Sequence, residues 1–265
     1  MIIFYFVIFL FGLAVGSFLN CIIFRLETNQ SFLIGRSFCP NCKHILGWQD
    51  LTPIFSFLIL KGKCRYCQKP ISWQYPLVEI STAVLFVAVF NPQNFLLSAF
   101  YFLLSSLLII IFVYDLKHYL IPDKIIYPAI IIAFVYQLFR ILNFEFILKF
   151  GFWNLDFKSL INPLLSAILA SVFFLAIVMV SRGKWMGVGD IKLAFLMGLI
   201  LGWPNILFAL FSSFFIGAIV GIGLIISGKK TLKSEIPFGP FLVTGTFLSL
   251  FFGEKIINCY LSLFL

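Results

Sequence analysis

Long uncharged runs alternate along this chain with short segments that carry almost all of its charge. A membrane-spanning helix needs about 20 apolar residues. Two long apolar runs contain turn sequences, Asn-Pro-Gln-Asn at 91–94 and Gly-Trp-Pro-Asn at 202–205, which divide them. The pattern predicts about eight transmembrane helices, with seven as the alternative, near residues 2–24, 76–90, 95–114, 124–142, 160–181, 189–203, 205–226 and 239–262.

Composition narrows the class of protein further. Hydrophobic residues make up 62% of the 265 positions and charged residues only 11%, compared with about 25% charged in ordinary soluble domains. A soluble globular protein is therefore excluded, and an all-α polytopic membrane protein is predicted. The first apolar run has no basic segment before it and no evident small-residue cleavage site, so we expect it to be a retained anchor.

The positions of the basic residues predict the topology. Four segments, 25–75, 115–124, 182–192 and 227–238, hold 15 of the 19 Lys and Arg residues. Because basic loops stay on the cytoplasmic side, these segments are expected in the cytoplasm and both termini outside. The long, aromatic loop between Arg140 and Lys158 is then on the outer side. A net charge of +9 spread over such loops does not indicate nucleic-acid binding.

The same pattern predicts three parts of the chain. Residues 1–25 form the first transmembrane helix, residues 26–75 form a small cytoplasmic module, and residues 76–265 form a membrane-embedded domain of about seven helices. The module is the only sizeable soluble segment. It is too short to bury a large core, so a metal ion would contribute folding energy.

Two Cys-x-x-Cys pairs, separated by 21 residues, lie in this module. Four thiolates with this spacing suit tetrahedral zinc, and a site with four protein ligands is structural rather than catalytic. Two disulfides are the alternative, which a reducing cytoplasm disfavours. A redox-active Cys-x-x-Cys motif is a third alternative, but no βαβ pattern, which would be typical of such a motif, surrounds either pair. The predicted zinc ligands are Cys39, Cys42, Cys64 and Cys67; Cys21 and Cys259 are expected to be small core residues.

Two aspartates lie at the predicted cytoplasmic ends of different helices. Asp115 ends one apolar run, and Asp190 opens another after Gly187 and Gly189. Two carboxyls meeting there can share one proton, as in an aspartic protease. The glycines would permit backbone conformations closed to other residues and let an extended substrate approach. Alternatively, both aspartates are ordinary interfacial charges and Asp190 is the N-cap of its helix.

Glu79 also differs from the remaining acidic residues. It lies near the start of an apolar segment, where an ionisable side chain is costly and is by default a functional candidate. An interfacial position is the alternative. We expect the other acidic residues in loops or at helix ends to be solvated, namely Glu27, Asp50, Glu145, Asp156, Glu235 and Glu254.

Short motifs follow one another along nearly the whole chain, and their order and combination are specific although each is weak alone. They are Gly16–Asn20 with Arg25, the cysteine module with Asp50–Pro53 and Leu60–Arg65, Ile71–Ser72, Tyr75–Glu79, Asp115–Asp123, Gly187–Asp190 with Lys192, and Ile236–Pro240. In this combination the chain resembles the bacterial type IV prepilin leader peptidases, which are membrane aspartic proteases of the GxGD class.

The resemblance implies a catalytic pair, Asp115 and Asp190, with Gly187, Gly189, Asp123 and Lys192 supporting it. It implies a bacterial inner-membrane enzyme that cleaves prepilins and type II secretion pseudopilins after a Gly at the cytoplasmic face. Members with the cysteine module commonly also N-methylate the new N-terminal residue, often Phe, with S-adenosylmethionine. Glu79 is our only candidate for methyl transfer. The implied partners are the substrates, the bilayer, and the pilus or secretion machinery.

Two alternatives stay open. The first is a GxGD peptidase without methylation that acts on another precursor, which the cysteine module and the Gly-Ser-Phe-Leu-Asn element argue against. The second is a transporter or scaffold with a zinc-clipped loop, whose membrane carboxylates would serve proton coupling. Transporters often contain inverted repeats, and no such repeat is evident in this sequence.

Overall fold

The computed structural model describes residues 2–28, 30–31, 35–142, 158–231 and 234–262. These residues divide into two compact units, Met1–Ile110 and Ile111–Leu265, whose boundary falls within one helix. The described helices are α1 (Ile2–Glu27), a 3-10 turn (Trp48–Asp50), α2 (Phe55–Ile59), α3 (Gln74–Val89), α4 (Phe95–His118), α5 (Asp123–Leu142), α6 (Lys158–Ser181), α7 (Val188–Leu201), α8 (Asn205–Ile226) and α9 (Gly239–Ser262).

The all-α membrane fold is confirmed. The described residues contain no β-strand, only the isolated bridges Phe38–Ile45 and Lys63–Pro70 in the cysteine module. Each of the eight predicted apolar segments coincides with a helix. Five helices are long and apolar enough to cross a membrane: α1, α4, α6, α8 and α9. The number of crossings, the three predicted domain boundaries and the membrane orientation stay predictions, and most of the predicted loop between Arg140 and Lys158 lies outside the described residues.

In unit 1, α1 and α3 pack closely because glycines remove side chains from the contact. A Cβ atom placed at Gly12 would lie 2.5 Å from Cα of Ala83, and one at Gly16 would lie 2.6 Å from Cα of Glu79. Small residues of this kind let membrane helices approach each other. The side-chain amide of Asn20 donates to the carbonyl of Tyr75 at 3.0 Å and fixes the register of the pair.

The predicted turn at 91–94 separates α3 from α4, as expected. The side chain of Asn94 accepts a hydrogen bond from Leu97 N–H at 2.9 Å, which caps the first turn of α4. Phe86 of α3 stacks on Phe102 of α4 with ring centroids 4.3 Å apart. Part of the large phenylalanine content therefore packs helices together.

In unit 2, small residues again allow close packing. Gly198 of α7 lies directly against the backbone of Ala167 in α6, and Gly245 of α9 lies against Ser213 of α8. The amide of Gln137 in α5 donates to the carbonyl of Leu199 at 2.5 Å and ties α5 to α7. Such hydrogen bonds give polar groups the partners that the hydrocarbon core of a bilayer cannot provide.

α7 is the short helix of unit 2. It has 14 residues, against 24 in α6 and 22 in α8. Its interior side chains are almost fully enclosed, with Leu193, Leu196, Met197 and Leu199 each at 0% exposure. Apart from Val188 at its start, the helix that carries Asp190 has no exposed residue, so protein covers most of its surface.

Candidate functional site

The four module cysteines form one cluster. Their sulfur atoms all lie within 4.8 Å of one another, and Sγ of Cys39 and Cys67 are 3.9 Å apart. Two ligands of a tetrahedral zinc ion with Zn–S bonds of 2.3 Å would be about 3.8 Å apart, so the sulfur positions fit zinc. All six cysteines are free thiols, which contradicts the two-disulfide alternative.

The two knuckles have the same local geometry. The N–H of Lys43 donates to the carbonyl of Cys39 at 2.9 Å, and the N–H of Gln68 donates to the carbonyl of Cys64 at 3.0 Å. Lys43 and Gln68 both adopt a left-handed backbone, with φ of 59° and 58°. Each turn directs its two thiols to the same point, which is what a shared metal ion requires.

The crowding of four thiols also shapes their ionisation. Burial opposes the thiolate of Cys39, but N–H groups of Cys42 and Asn41 and neighbouring thiols outweigh it and lower its pKa to about 7. At Cys67 the N–H of Lys69 favours the thiolate, yet burial and hydrogen bonds to the other thiols raise the pKa to about 11. The cluster therefore keeps protons that a bound cation would displace.

Asp50 accepts hydrogen bonds from three residues of the module. The expectation that it is a solvated charge is therefore wrong. Its carboxylate accepts Arg65 Nε–H at 2.8 Å, the Tyr66 hydroxyl at 3.1 Å and Gly47 N–H at 3.1 Å. Arg65 and Tyr66 lie between the two cysteines of the second knuckle. Asp50 thus fastens that knuckle to the 3-10 turn, which sequence distance alone did not reveal.

Glu79 lies in unit 1, in the second turn of α3, and is 6% exposed. Its Oε2 accepts the backbone N–H of Ile54 at 2.8 Å. Ile54 has φ of 59°, an unusual conformation for a β-branched residue. The buried carboxylate therefore holds a strained segment of the module against α3, which is an architectural use of Glu79.

Asp115 and Asp190 come together in unit 2. Asp115 lies one turn before the end of α4 and is 4% exposed; Asp190 lies in the first turn of α7 and is 8% exposed. The two carboxyls are close enough to interact electrostatically. Oδ2 of Asp115 has no hydrogen-bond partner among the residues that the structure describes. A buried polar atom without a partner is rare in native structures and calls for a functional explanation.

The backbone around Asp190 differs from both expectations for it. Gly187 is the N-cap of α7, so the alternative in which Asp190 caps the helix is wrong. Gly187 has φ of −83° and ψ of 158°, a conformation open to any residue, and neither Gly187 nor Gly189 has a left-handed φ. The expectation of unusual conformations there is therefore wrong. The Gly187 N–H donates to Oδ2 of Asp190 at 3.1 Å.

The glycines matter through the space that they leave. A Cβ atom at Gly189 would lie 3.0 Å from Cβ of Ile121, so that position is close-packed. A Cβ atom at Gly187 would meet nothing closer than 3.9 Å, so its surface is open. The GxGD turn thus combines one packed glycine and one accessible glycine.

Asp123 and Lys192 form an ion pair two residues along α7 from Asp190. Nζ of Lys192 donates to Oδ1 of Asp123 at 2.5 Å and lies 4.8 Å from the ring centroid of Tyr127. This links the first turn of α5 to the second turn of α7. Both residues are therefore placed to position the helix that carries Asp190, as a supporting role requires.

The sequence analysis missed the contact of α9 with Asp115. A Cβ atom at Gly239 would lie 2.6 Å from Oδ2 of Asp115, so only glycine fits there without displacing the carboxyl. The motif Ile236–Pro240 was a signal for this contact. Of the other cysteines, Cys21 is half-buried and Cys259 is exposed, so the core prediction is wrong for Cys259.

Two family models match this chain. The model of the bacterial peptidase A24 N-terminal domain matches residues 10–92, and that of the type IV leader peptidase family matches residues 102–222. No solved structure matches the chain.

Curated relatives cover nearly the whole sequence. A prepilin leader peptidase/N-methyltransferase of Bacillus subtilis is 34% identical over 97% of this chain and 98% of its own length. Proteins of the same name from Aeromonas hydrophila and Legionella pneumophila are each 32% identical over 97% of this chain and 94% of their own length. The chain therefore belongs to the type IV leader peptidase family, as its motifs predicted.

Proposed function

We propose that this chain removes the basic leader from type IV prepilins and type II secretion pseudopilins and then N-methylates the new N-terminal residue. The supporting observation is that two buried carboxyls, Asp115 and Asp190, lie close enough to interact, and that Oδ2 of Asp115 has no hydrogen-bond partner among the described residues. Membership of the family and the names of its curated relatives support the substrate class and the methylation.

The peptidase step follows from two carboxyls that share one proton. The ionised carboxyl takes a proton from a water molecule, which attacks the scissile carbonyl carbon, while the protonated carboxyl donates to the carbonyl oxygen. Collapse of the tetrahedral intermediate breaks the C–N bond and returns a proton to the leaving amine. The proton belongs to the pair, so we assign no fixed order to Asp115 and Asp190.

Neighbouring groups fix the pair for this step. The Gly187 N–H holds one oxygen of Asp190, and Gly239 lies against Oδ2 of Asp115. The open surface at Gly187 leaves room for an extended substrate backbone. The positions of the basic loops support a dyad at the cytoplasmic face of a bacterial inner membrane, with both termini outside.

The module is proposed to hold structural zinc through Cys39, Cys42, Cys64 and Cys67. When bound, zinc would link the two knuckles and supply folding energy to a segment with little core. S-adenosylmethionine is the proposed methyl donor. The described residues do not form a site that fits it. Glu79 stays the methyl-transfer candidate, beside its architectural contact with Ile54.

The test is mass spectrometry of a purified prepilin incubated in detergent with the full-length protein, with and without S-adenosylmethionine. The wild type should remove the leader and add one methyl group only when the donor is present. Asp190→Asn should leave the precursor intact, whereas Glu254→Gln, which changes an exposed carboxylate, should act like the wild type.

The outcomes separate the alternatives. Cleavage without methylation would leave a peptidase and undercut the roles of the module and Glu79. Intact precursor with the wild type, for several prepilins, would favour the transporter or scaffold. Pilins and pseudopilins tested side by side would show whether the chain serves pili, secretion or both.

A further inference from the structure

One segment of the cysteine module has the wrong surface for a water-soluble loop. Residues 51–60 (Leu-Thr-Pro-Ile-Phe-Ser-Phe-Leu-Ile-Leu) contain no charge, and Asp50 and Lys61 flank them. We refer to residues 51–60 as the apolar segment. It contains α2, where Phe55, Leu58 and Ile59 are 57%, 64% and 75% exposed. A contiguous exposed apolar patch of this kind marks an interaction surface.

The position of the apolar segment is fixed relative to two membrane helices. Ile54, which immediately precedes α2, donates its N–H to Glu79, five residues beyond the start of α3. The backbone of Glu79 packs against Gly16 of α1. Gly16 is nine residues before Arg25, the first charged residue of the chain, which is about 14 Å along the helix axis.

This places Ile54, the N-cap of α2, below the level at which charge first appears on α1. The Glu79 side chain leans toward the N-terminus of its own helix. Ile54 therefore lies less deep than the Glu79 backbone, but still below the level of Arg25. Amphipathic helices at membrane surfaces bury their apolar face about 5–10 Å into the boundary between headgroups and acyl chains. The depth of α2 suits that boundary.

Aromatic and basic residues around the apolar segment agree with an interfacial position. Trp73, directly before α3, is 71% exposed and lies 5.0 Å from Phe57 between ring centroids. Trp is enriched where membrane meets water. Lys61 and Lys63 follow the segment and are exposed, which complements anionic lipid headgroups.

We propose that the apolar segment inserts into the bilayer interface, on the membrane face where Arg25 lies, and docks the cysteine module on lipid. The occupant of the patch is the lipid layer itself. The N–H of Ile54 then has no access to water, and its hydrogen bond to Glu79 satisfies a donor that lipid cannot. This inference does not depend on the proposed enzymatic function.

The test uses the full-length, zinc-loaded protein in nanodiscs of phosphatidylethanolamine and phosphatidylglycerol. A photoreactive benzophenone amino acid replaces Ile59 in one variant and Asn41 in a matched control. Both positions are exposed in the same module, but Asn41 lies at the tip of the first knuckle. After irradiation, mass spectrometry identifies what each probe has captured.

Lipid adducts at position 59, and none at position 41, are the expected result. Adducts with protein, from this chain or a second copy, would overturn the proposal because protein would then cover the patch. No adduct at position 59, which is the result for a probe that meets only water, would overturn it too, as would equal lipid labelling at both positions. Leu58 provides a second probe position if the first variant loses its zinc.

Discussion

Two regions of this molecule bury a carboxyl group and surround it differently. In unit 1, Glu79 accepts the N–H of Ile54 and anchors a loop. In unit 2, Asp115 keeps one oxygen without a described partner and has Asp190 as a neighbour of like charge. Burial in an apolar helix is common to both. The two carboxyls therefore differ in what they meet: a backbone donor at Glu79, and a second carboxyl at Asp115.

Substitution of either aspartate in unit 2 should have the greatest effect on activity. Asp115→Asn and Asp190→Asn should each lower the rate of leader cleavage by about 10²- to 10⁴-fold, because the pair cannot share a proton. The double variant should be no slower than either single variant, since the two groups act as one unit. Kinetics of prepilin cleavage check this. Additive losses would indicate that the aspartates act separately.

Removal of the metal site should mainly affect unit 1. We expect a variant with all four module cysteines changed to Ser to lose about one bound zinc ion per chain, and methylation or thermal stability to fall more than cleavage. Metal analysis, melting and both assays on the same preparation check this, and a Cys259→Ser variant is the matched control. Full proteolysis with full methylation in the four-cysteine variant would contradict the prediction.

Gly239→Ala tests the surroundings of Asp115 directly, because the substitution crowds Oδ2 of Asp115 without changing either carboxyl. The added methyl group would lie 2.6 Å from Oδ2, so the carboxyl must move. Small displacements of catalytic groups reduce rates by about 10- to 100-fold. Gly223→Ala, where no atom lies within 4 Å of the new Cβ, should leave cleavage unchanged. Similar rates for the two variants would contradict this role of Gly239.

Glu79 separates architecture from chemistry through two substitutions. Glu79→Leu leaves the Ile54 N–H without an acceptor and should destabilise unit 1 by roughly 1–3 kcal/mol. Glu79→Gln keeps an acceptor oxygen and should melt like the wild type. Methylation by Glu79→Gln then decides whether the carboxylate has a chemical role: its loss, with cleavage intact, supports one, and unchanged methylation excludes it.

The smallest effect is expected at the ion pair between Asp123 and Lys192. The Asp123 side chain is largely exposed, and exposed ion pairs contribute at most about 1 kcal/mol. Lys192→Met should therefore reduce cleavage only a few-fold and shift the melting temperature little. A loss as large as that of Asp190→Asn would assign Lys192 a direct part in the reaction.

Each apolar segment that the hydropathy pattern predicted coincides with a helix of the described residues, because burial in lipid imposes a simple rule on composition. Boundaries were less accurate where a charge is satisfied locally: α1 continues past residue 24 because the Arg25 guanidinium donates to the carbonyls of Ser31 and Gly35. Cysteine spacing predicted the cluster of four thiols, because short turns direct the thiols to one point.

Contacts between distant segments were not predictable in this way. The approach of Gly239 to Asp115 and the hydrogen bond from Ile54 to Glu79 both depend on how helices pack, and neither has a local sequence period. Asp50 was misjudged for the same reason, since its three donors are brought to it by the fold of the module.

The short length of α7 has a consequence for hydrophobic mismatch. Fourteen residues rise about 21 Å, well under the roughly 30 Å thickness of the hydrocarbon core. A lipid-exposed helix this short would thin the surrounding bilayer. Because neighbouring helices cover most of α7, longer helices such as α6 and α8 face the lipid, and their length matches the hydrocarbon core better. The depth of Asp190 is thus set by helix packing and not by the thickness of the membrane around it.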